Sequence, residues 1–141
     1  MKTILKTFKT TFIFVFNSSI RAVSGPLQIR LVGGSNSNEG RVEVLYNNVW
    51  GTVCDDAWST DDASVVCRQL GLPHENAEVL GSAEFGEGSG QIWLDEVNCL
   101  GSESNLDECS HPGWGTHNCG HAEDAGIRCT RGGYIRHINI A

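Results

Sequence analysis

Two segments rich in β-branched and aromatic residues lie close together in the first half of the chain. They span residues 41–46 and 49–54, and Asn47 and Asn48 separate them. Asparagine tolerates the positive φ angles that a tight two-residue turn requires. The pattern therefore predicts a β-hairpin.

A helical pattern begins at Ser59 or Thr60, either of which can cap a helix. Asp61 and Asp62 follow in the first turn, where the helix dipole favours acidic residues, and Gly71 ends the pattern. Four apolar residues recur at helical spacing, which places a cysteine on the buried face: Ala63, Val66, Cys67 and Leu70.

Weaker signals complete the prediction of elements. Four glycines within residues 81–90 indicate an irregular loop. We predict a strand over residues 91–97, a helical turn over residues 104–109 and a closing strand over residues 126–129. The chain has no internal repeat, and its length suits one domain.

Residues 1–24 have the pattern of a secretory signal peptide. Lysines precede the apolar run 12–16, and the small residues Ala22 and Ser24 lie just before Gly25, as at a cleavage site. No other stretch approaches the roughly 18 consecutive apolar residues of a membrane helix. We divide the chain into this signal peptide, a domain over residues 27–130, and residues 131–141, a short tail or the end of a fragment.

The cysteines indicate disulfides. There are six, and no two of them have the C-x-x-C spacing that zinc sites and thioredoxin-like sites use. An even set in a secreted chain is typical of a disulfide framework. We therefore expect three disulfides and an extracellular protein, either secreted or an ectodomain at the cell surface.

The predicted domain is strongly acidic. All seventeen acidic residues lie between Glu39 and Asp124, whereas residues 27–130 contain four arginines and no lysine. Such a surface repels nucleic acid and anionic lipid, because phosphate binding depends on Lys and Arg. We expect no nucleic acid partner and no direct membrane insertion by the domain, and a polyanion would need a bridging cation.

Several short sequence blocks resemble the motifs of the scavenger receptor cysteine-rich (SRCR) family over residues 29–130, in its six-cysteine form. The eight-cysteine form has a further bridge, whose positions here are occupied by Asn38 and Leu72. The blocks are GRVEV at 40–44, WGTVCDD at 50–56, VVCRQLG at 65–71, IWLD at 92–95, GWG at 113–115, HNCGH at 117–121 and EDAG at 123–126.

The resemblance implies an α+β fold. In this fold a compact, curved and mostly antiparallel sheet cradles one main helix. The resemblance also implies which cysteines pair: Cys54–Cys119, Cys67–Cys129 and Cys99–Cys109.

Four acidic residues are candidate Ca²⁺ ligands, because many SRCR domains bind Ca²⁺ and, through it, anionic ligands. The implied disulfides would bring Glu123 and Asp124 beside Asp55 and Asp56. Crowded carboxylates raise one another's pKa unless they share a cation, and Ca²⁺ takes about six to eight oxygen ligands. The alternative interpretation is a solvated acidic rim.

A second cation position is suggested by Asp95, Glu103 and Asn118, again by resemblance. Ca²⁺ at either position would keep coordination sites for sulfate, phosphate or carboxylate groups of a ligand. We expect no organic cofactor.

We expect no enzyme activity. A nucleophilic enzyme needs an activated serine or a free cysteine beside a histidine, and every cysteine is assigned to a disulfide. A zinc site built from three histidines and Cys119 is rejected for the same reason. The tryptophans are interpreted as packing residues, although Trp58 and Trp114 fall in predicted loops and are candidates for exposure.

The function we expect is that of an extracellular recognition module with a Ca²⁺-dependent binding face. Its ligands would be polyanionic or microbial surfaces or extracellular proteins, and the resemblance implies roles in innate immunity and receptor-mediated endocytosis. Two alternatives stay open: a non-catalytic ancillary domain of a larger secreted enzyme, of serine protease or lysyl oxidase type, and a stand-alone soluble effector.

Overall fold

The computed structural model describes residues 25–133, which form one mixed β-sheet and one α-helix. The predicted signal peptide and residues 134–141 of the tail lie outside the described residues. The strands are β1 (Gln28–Gly33), β2 (Glu39–Tyr46), β3 (Val49–Val53), β4 (Glu78–Leu80), β5 (Gln91–Leu94) and β6 (Gly126–Arg128), and the helix is α1 (Thr60–Gln69).

The sheet is predominantly antiparallel. Its strand order is β4-β6-β2-β3-β5, and β1 pairs with β2. Among the strand pairs of the described residues, only that of β3 with β5 is parallel. The sheet curls, and α1 packs beside β4. The α+β class and the sheet around one helix are thus confirmed. Within residues 25–133, no helix has the length and apolarity needed to cross a membrane.

The predicted hairpin is confirmed. β2 and β3 pair with Tyr46 opposite Val49. The turn residues Asn47 and Asn48 have φ angles of 49° and 61°, in the left-handed region that asparagine tolerates. Because the hairpin is tight, β3 runs directly back along β2 and delivers the chain to Cys54, where the acidic segment begins.

The predicted helix is also confirmed. The Ser59 and Asp62 side chains each accept a hydrogen bond from the other residue's backbone N–H, forming a capping box. Gly71, with φ 69°, follows the last turn. The face predicted to be apolar is buried, and it includes three fully buried residues: Ala63, Val66 and Cys67.

The hydrophobic core lies between α1 and the sheet. Valines of β2 and β3 belong to the same buried cluster as the apolar face of α1, and so does Leu106. Trp58 belongs to this core and is only 8% exposed, which confirms its interpretation as a packing residue and not the alternative of exposure in a loop. A tight turn causes this, since the Trp58 N–H donates to the Asp55 carbonyl and the chain turns inward. Trp114 is partly buried.

All six cysteines pair as the resemblance implied. One disulfide ties α1 to the end of β6, one ties the end of β3 to the loop before β6, and one closes a short loop after β5. These are Cys67–Cys129, Cys54–Cys119 and Cys99–Cys109, respectively.

The strand predicted over residues 91–97 is too long. β5 ends at Leu94, because the Asp95 carboxylate accepts the Glu96 N–H and Glu96 has φ 46°, which no strand allows. β1 and β4 were not predicted, since alternation in β1 breaks at Val32 and β4 has only three residues. Residues 81–90 form no helix or strand, and a 3₁₀ turn at Leu106–Glu108 confirms the predicted helical turn.

Candidate functional site

The backbone brings the segment after β3 alongside the segment before β6. Cys54 pairs with Asp124 in an antiparallel bridge, and the Asp55 N–H donates to the Glu123 carbonyl at 2.8 Å. The Cys54–Cys119 disulfide joins the same two segments covalently. Acidic residues that are distant in sequence are therefore placed side by side by both hydrogen bonds and a cross-link.

Three carboxylates converge at this junction: Asp55, Asp56 and Glu123. We call these residues the acidic cluster. One oxygen from each lies within 4.8 Å of the others, and all three residues are partly buried. This confirms their expected proximity, although the presence of a cation stays a prediction.

Backbone donors orient two members of the acidic cluster. Asp55 accepts the Ser82 N–H at 2.6 Å, and Glu123 accepts the Gly120 N–H at 2.9 Å. Each bond uses one oxygen and fixes the direction of the carboxylate. Within residues 25–133, no N–H or O–H group donates to the Asp56 carboxylate. The Cys119 sulfur lies 3.6 Å from it, but this sulfur belongs to a disulfide and has no proton to donate.

The surroundings of Asp56 disfavour the charged form of its side chain. Partial burial raises the pKa of its carboxyl group above the ordinary value, and the neighbouring charges of Asp95, Glu123 and Asp55 raise the pKa further. A cation placed among these oxygens would remove both causes. The donor set is therefore the kind that a hard divalent cation such as Ca²⁺ fits.

Asp95 is more buried than the acidic cluster, and its carboxylate lies close to that of Asp56. It is 4% exposed, and its carboxylate lies within 4.8 Å of that of Asp56 and of the sulfurs of Cys54 and Cys119. The parallel pairing of β3 with β5 causes this, since the ends of both strands reach the same edge. Asp56 therefore faces both candidate cation positions.

The second candidate position is assembled only in part. Asp95 and Asn118 line one pocket of about 200 Å³, together with Glu96 and His117. Glu103 is not among the residues that line this pocket. Its carboxylate instead accepts the N–H groups of the loop after Cys99.

Backbone bonds account for the placement of Glu103. It accepts the Leu100 N–H at 2.6 Å and the Gly101 N–H at 2.9 Å. The bond from Leu100 is the main cause that lowers the pKa of Glu103. Both oxygens thus hold a loop in place, and the structure does not bring Glu103 together with Asp95 and Asn118.

Asp124 is also separated from the acidic cluster. It is 1% exposed and accepts the Gly88 N–H at 2.7 Å, while Nδ1 of His121 lies 3.0 Å from the same oxygen. Asp124 therefore ties the glycine-rich loop to the segment before β6. The sequence carried no sign that adjacent Glu123 and Asp124 face different surroundings.

Two contributors were missed from the sequence. Ser82, at φ 53°, presents the N–H that orients Asp55. Asp62 is fully buried, and besides capping α1 it accepts the Cys99 N–H at 2.8 Å, which anchors the chain after Asp95. The capping role of Asp62 could be predicted from the local sequence. The bonds from Ser82 to Asp55 and from Cys99 to Asp62 join distant residues, and no local pattern predicts them.

The rejected zinc site is not assembled either. The candidate metal-binding groups within residues 25–133 contain carboxylates and disulfide sulfurs but no histidine. His111 and His117 each accept a nearby backbone N–H at Nδ1, and His121 contacts Asp124.

Comparison with known proteins gives a family. The model of the scavenger receptor cysteine-rich domain matches residues 32–130. The third SRCR domain of mouse neurotrypsin is 50% identical, with 73% of this chain and 95% of that chain covered and a TM-score of 0.68. The dimeric form of the SRCR domain of mouse MARCO is 53% identical, with 72% and 93% covered and a TM-score of 0.61.

SRCR domains are extracellular modules, typically non-catalytic, and in receptors they bind extracellular ligands. The matched residues include all three disulfides and the acidic cluster. This chain therefore belongs to the scavenger receptor cysteine-rich family.

Proposed function

We propose that this chain is an extracellular recognition module that binds anionic ligands through Ca²⁺ held by the acidic cluster. The observation that carries the proposal is the convergence of Asp55, Asp56 and Glu123, of which Asp56 has no protein donor within the described residues. A domain that only needed solubility would keep such carboxylates apart, because their repulsion destabilises the folded state.

Calcium suits this donor set for three reasons. All of the ligands are oxygens, the carboxylates come from two separate segments, and part of the coordination shell would be left to water. These water positions can be exchanged for oxygens of a sulfate, phosphate or carboxylate group on a ligand.

The cation also resolves a problem of charge. A domain with four arginines, no lysine and seventeen acidic residues repels polyanions unless a cation intervenes. At the acidic cluster Ca²⁺ would reverse the local sign. We further propose that Asp95 and Asn118, with Asp56, form a second cation position that widens this face.

A second candidate function concerns the surrounding protein. The neurotrypsin relative is the third SRCR domain of its chain, so the fold also serves within multidomain proteins. On this alternative the chain is a non-catalytic part of a larger secreted enzyme. The cation site would then attach that enzyme to its surroundings.

The test is calorimetric titration of Ca²⁺ into protein recovered from the medium of cells expressing the full chain. We expect Asp56→Asn and Glu123→Gln to weaken Ca²⁺ binding by about tenfold or more, because affinity follows the number of charged ligands. Glu84→Gln is the matched control, an exposed acid outside the acidic cluster, and it should bind as the wild type does.

The ligand half of the proposal uses a defined probe. Heparin should bind the wild type in Ca²⁺ and be released by EDTA, while Asp56→Asn should bind weakly in both conditions. Absence of heat at millimolar Ca²⁺ would overturn the cation site. Heparin binding that persists unchanged in EDTA would overturn the proposed bridging role of Ca²⁺.

A further inference from the structure

A second concave surface lies away from the acidic cluster, where the tip of the β2–β3 hairpin meets the start of the described chain. Its volume is about 680 Å³ and it shares no residue with the acidic cluster. We call it the aromatic groove, and the residues used below are Gln28, Tyr46, Asn47, Asn48, Asp107 and Trp114. Its size is that of a small-molecule binding site.

One wall of the aromatic groove is a rigid set of rings. Tyr46 stacks on Trp114 with centroids 4.2 Å apart and planes 5° apart. The ring of Trp93 meets Tyr46 edge-on at 4.9 Å, and the ring of His111 meets Trp114 at 5.2 Å. Tyr46 and Trp114 are nevertheless only partly buried, so the pre-ordered pair presents apolar surface to the groove.

The other side of the aromatic groove is polar and uncommitted. Gln28, Asn47, Asn48 and Asp107 are exposed, and within residues 25–133 their side chains form no hydrogen bond to the protein. Each amide offers donors and an acceptor, whereas the carboxylate offers acceptors only. The tight turn holds the two asparagines side by side, which limits the entropy lost on binding.

Charge excludes the ligands that would suit the acidic cluster. Among residues 25–133, Asp107 is the only acidic residue that lines the aromatic groove, and no Lys, Arg or His lines it. An anionic group would therefore meet repulsion without a compensating cation. The ligand should therefore carry no negative charge, and it should have an apolar face for the rings and groups that both donate and accept hydrogen bonds.

We propose that the aromatic groove binds a neutral saccharide. The C–H face of a pyranose ring packs on aromatic side chains, and its neighbouring hydroxyls donate to and accept from amide and carboxylate groups. A proline-rich peptide also suits aromatic grooves. However, it offers mainly carbonyl acceptors, which would leave the acceptors of Asp107 and the amides unmatched.

The test is saturation-transfer NMR, followed by calorimetry, on protein from the medium of cells expressing the full chain. The probes are chitotriose, mannotriose, maltotriose and a proline-rich decapeptide, all in EDTA. The chelator removes any contribution of the acidic cluster, so failure here and failure of the Ca²⁺ proposal are separate results. We expect one of the trisaccharides to bind saturably.

Variants locate the binding. Trp114→Leu should weaken it by about tenfold, in line with the loss of an aromatic contact. Asn48→Gly keeps the left-handed turn and removes one amide, so it should weaken binding by a smaller factor. Ala57→Gly is the matched control, since Ala57 is also exposed at positive φ but lies outside the groove.

Amide NMR spectra confirm that each variant is folded. Three results would overturn the proposal: no trisaccharide binds at millimolar concentration, binding persists in both folded groove variants, or only the decapeptide binds. Persistent binding in both groove variants would place the saccharide on another surface. Binding of the decapeptide alone would assign the groove to a peptide ligand.

Discussion

Two sets of acidic residues in this domain have opposite surroundings. Glu39, Asp62 and Asp124, which we call the satisfied carboxylates, are buried and receive donors from the protein. The acidic cluster is more exposed, yet its carboxylates face one another and Asp56 receives no donor within the described residues. Burial alone therefore does not distinguish structural acids from functional ones; the partners do.

The pKa values express the same contrast. Arg128 and, to a smaller extent, Ser35 hold the pKa of Glu39 at about 2, below its ordinary 4.5. Partial burial and neighbouring carboxylates raise the pKa of Asp56. Ionisation of Glu39 thus stabilises the fold, whereas ionisation of Asp56 opposes it. Removing an acid from each set should have opposite effects on the free energy of unfolding.

The largest expected effect is at Asp62. Asp62→Ala removes one half of the capping box of α1, the acceptor of the Ser59 N–H, and leaves the buried Cys99 N–H without its acceptor. Together these losses should lower the free energy of unfolding by about 3 kcal/mol. Urea denaturation measures it, and Asp61→Ala, an exposed acid in the same turn, should cost less than about 1 kcal/mol. Equal losses in the two variants would contradict the structural role given to Asp62.

Calcium should act on the other set with a comparable magnitude and the opposite sign. At a concentration 100 times its Kd, Ca²⁺ that binds only the folded protein raises the free energy of unfolding by about 2.7 kcal/mol. The increase should follow the logarithm of Ca²⁺ concentration in thermal or urea unfolding. In Glu123→Gln the curve should shift to higher Ca²⁺, whereas Glu84→Gln should leave it in place.

These contrasts show what could be predicted from the sequence. Asp55, Asp56 and Glu123 were predictable because two are adjacent and the third is brought close by a disulfide that the family motifs imply. Asp124 was misplaced because a 3₁₀ turn, His121–Glu123, sends neighbouring side chains to different surroundings. Asp95 meets Asp56 only through the parallel pairing of β3 with β5, which no local pattern reveals.

The fold shows the same division. The hairpin and α1 carry their turn and cap residues locally, so both were predicted. β4 has three residues and exists only because β6 provides a partner. Glu103 likewise carries a carboxylate that could bind a cation, but this carboxylate accepts hydrogen bonds from the N–H groups of Leu100 and Gly101. The backbone conformation reached in the fold therefore decides which strands form and which acids stay available.

A smaller effect is expected at Glu39, and it should depend on pH. Because the folded-state pKa lies below 4.5, the contribution of Glu39 is present above pH 4.5 and is lost as the pH falls towards 2. Glu39→Gln should therefore be less stable than the wild type at pH 7, and the two should converge in acid. Urea denaturation from pH 7 to pH 2 measures this, and a difference that is constant with pH would assign the loss to packing.

The smallest effect, at Asp56, gives the sharpest test because its sign should reverse. The folded-state pKa is raised above 3.8, so ionisation costs stability as the pH rises through that pKa. In EDTA, Asp56→Asn should be slightly more stable than the wild type at pH 7, and the advantage should vanish as the pH falls below 3.8. In saturating Ca²⁺ the order should invert, because the wild type then gains binding energy that the variant lacks. A carboxylate that only stabilises the fold should not show this reversal, since its removal lowers the free energy of unfolding both in EDTA and in Ca²⁺. If Asp56→Asn is destabilised equally in EDTA and in Ca²⁺, Asp56 belongs with the satisfied carboxylates and the distinction between the two sets fails.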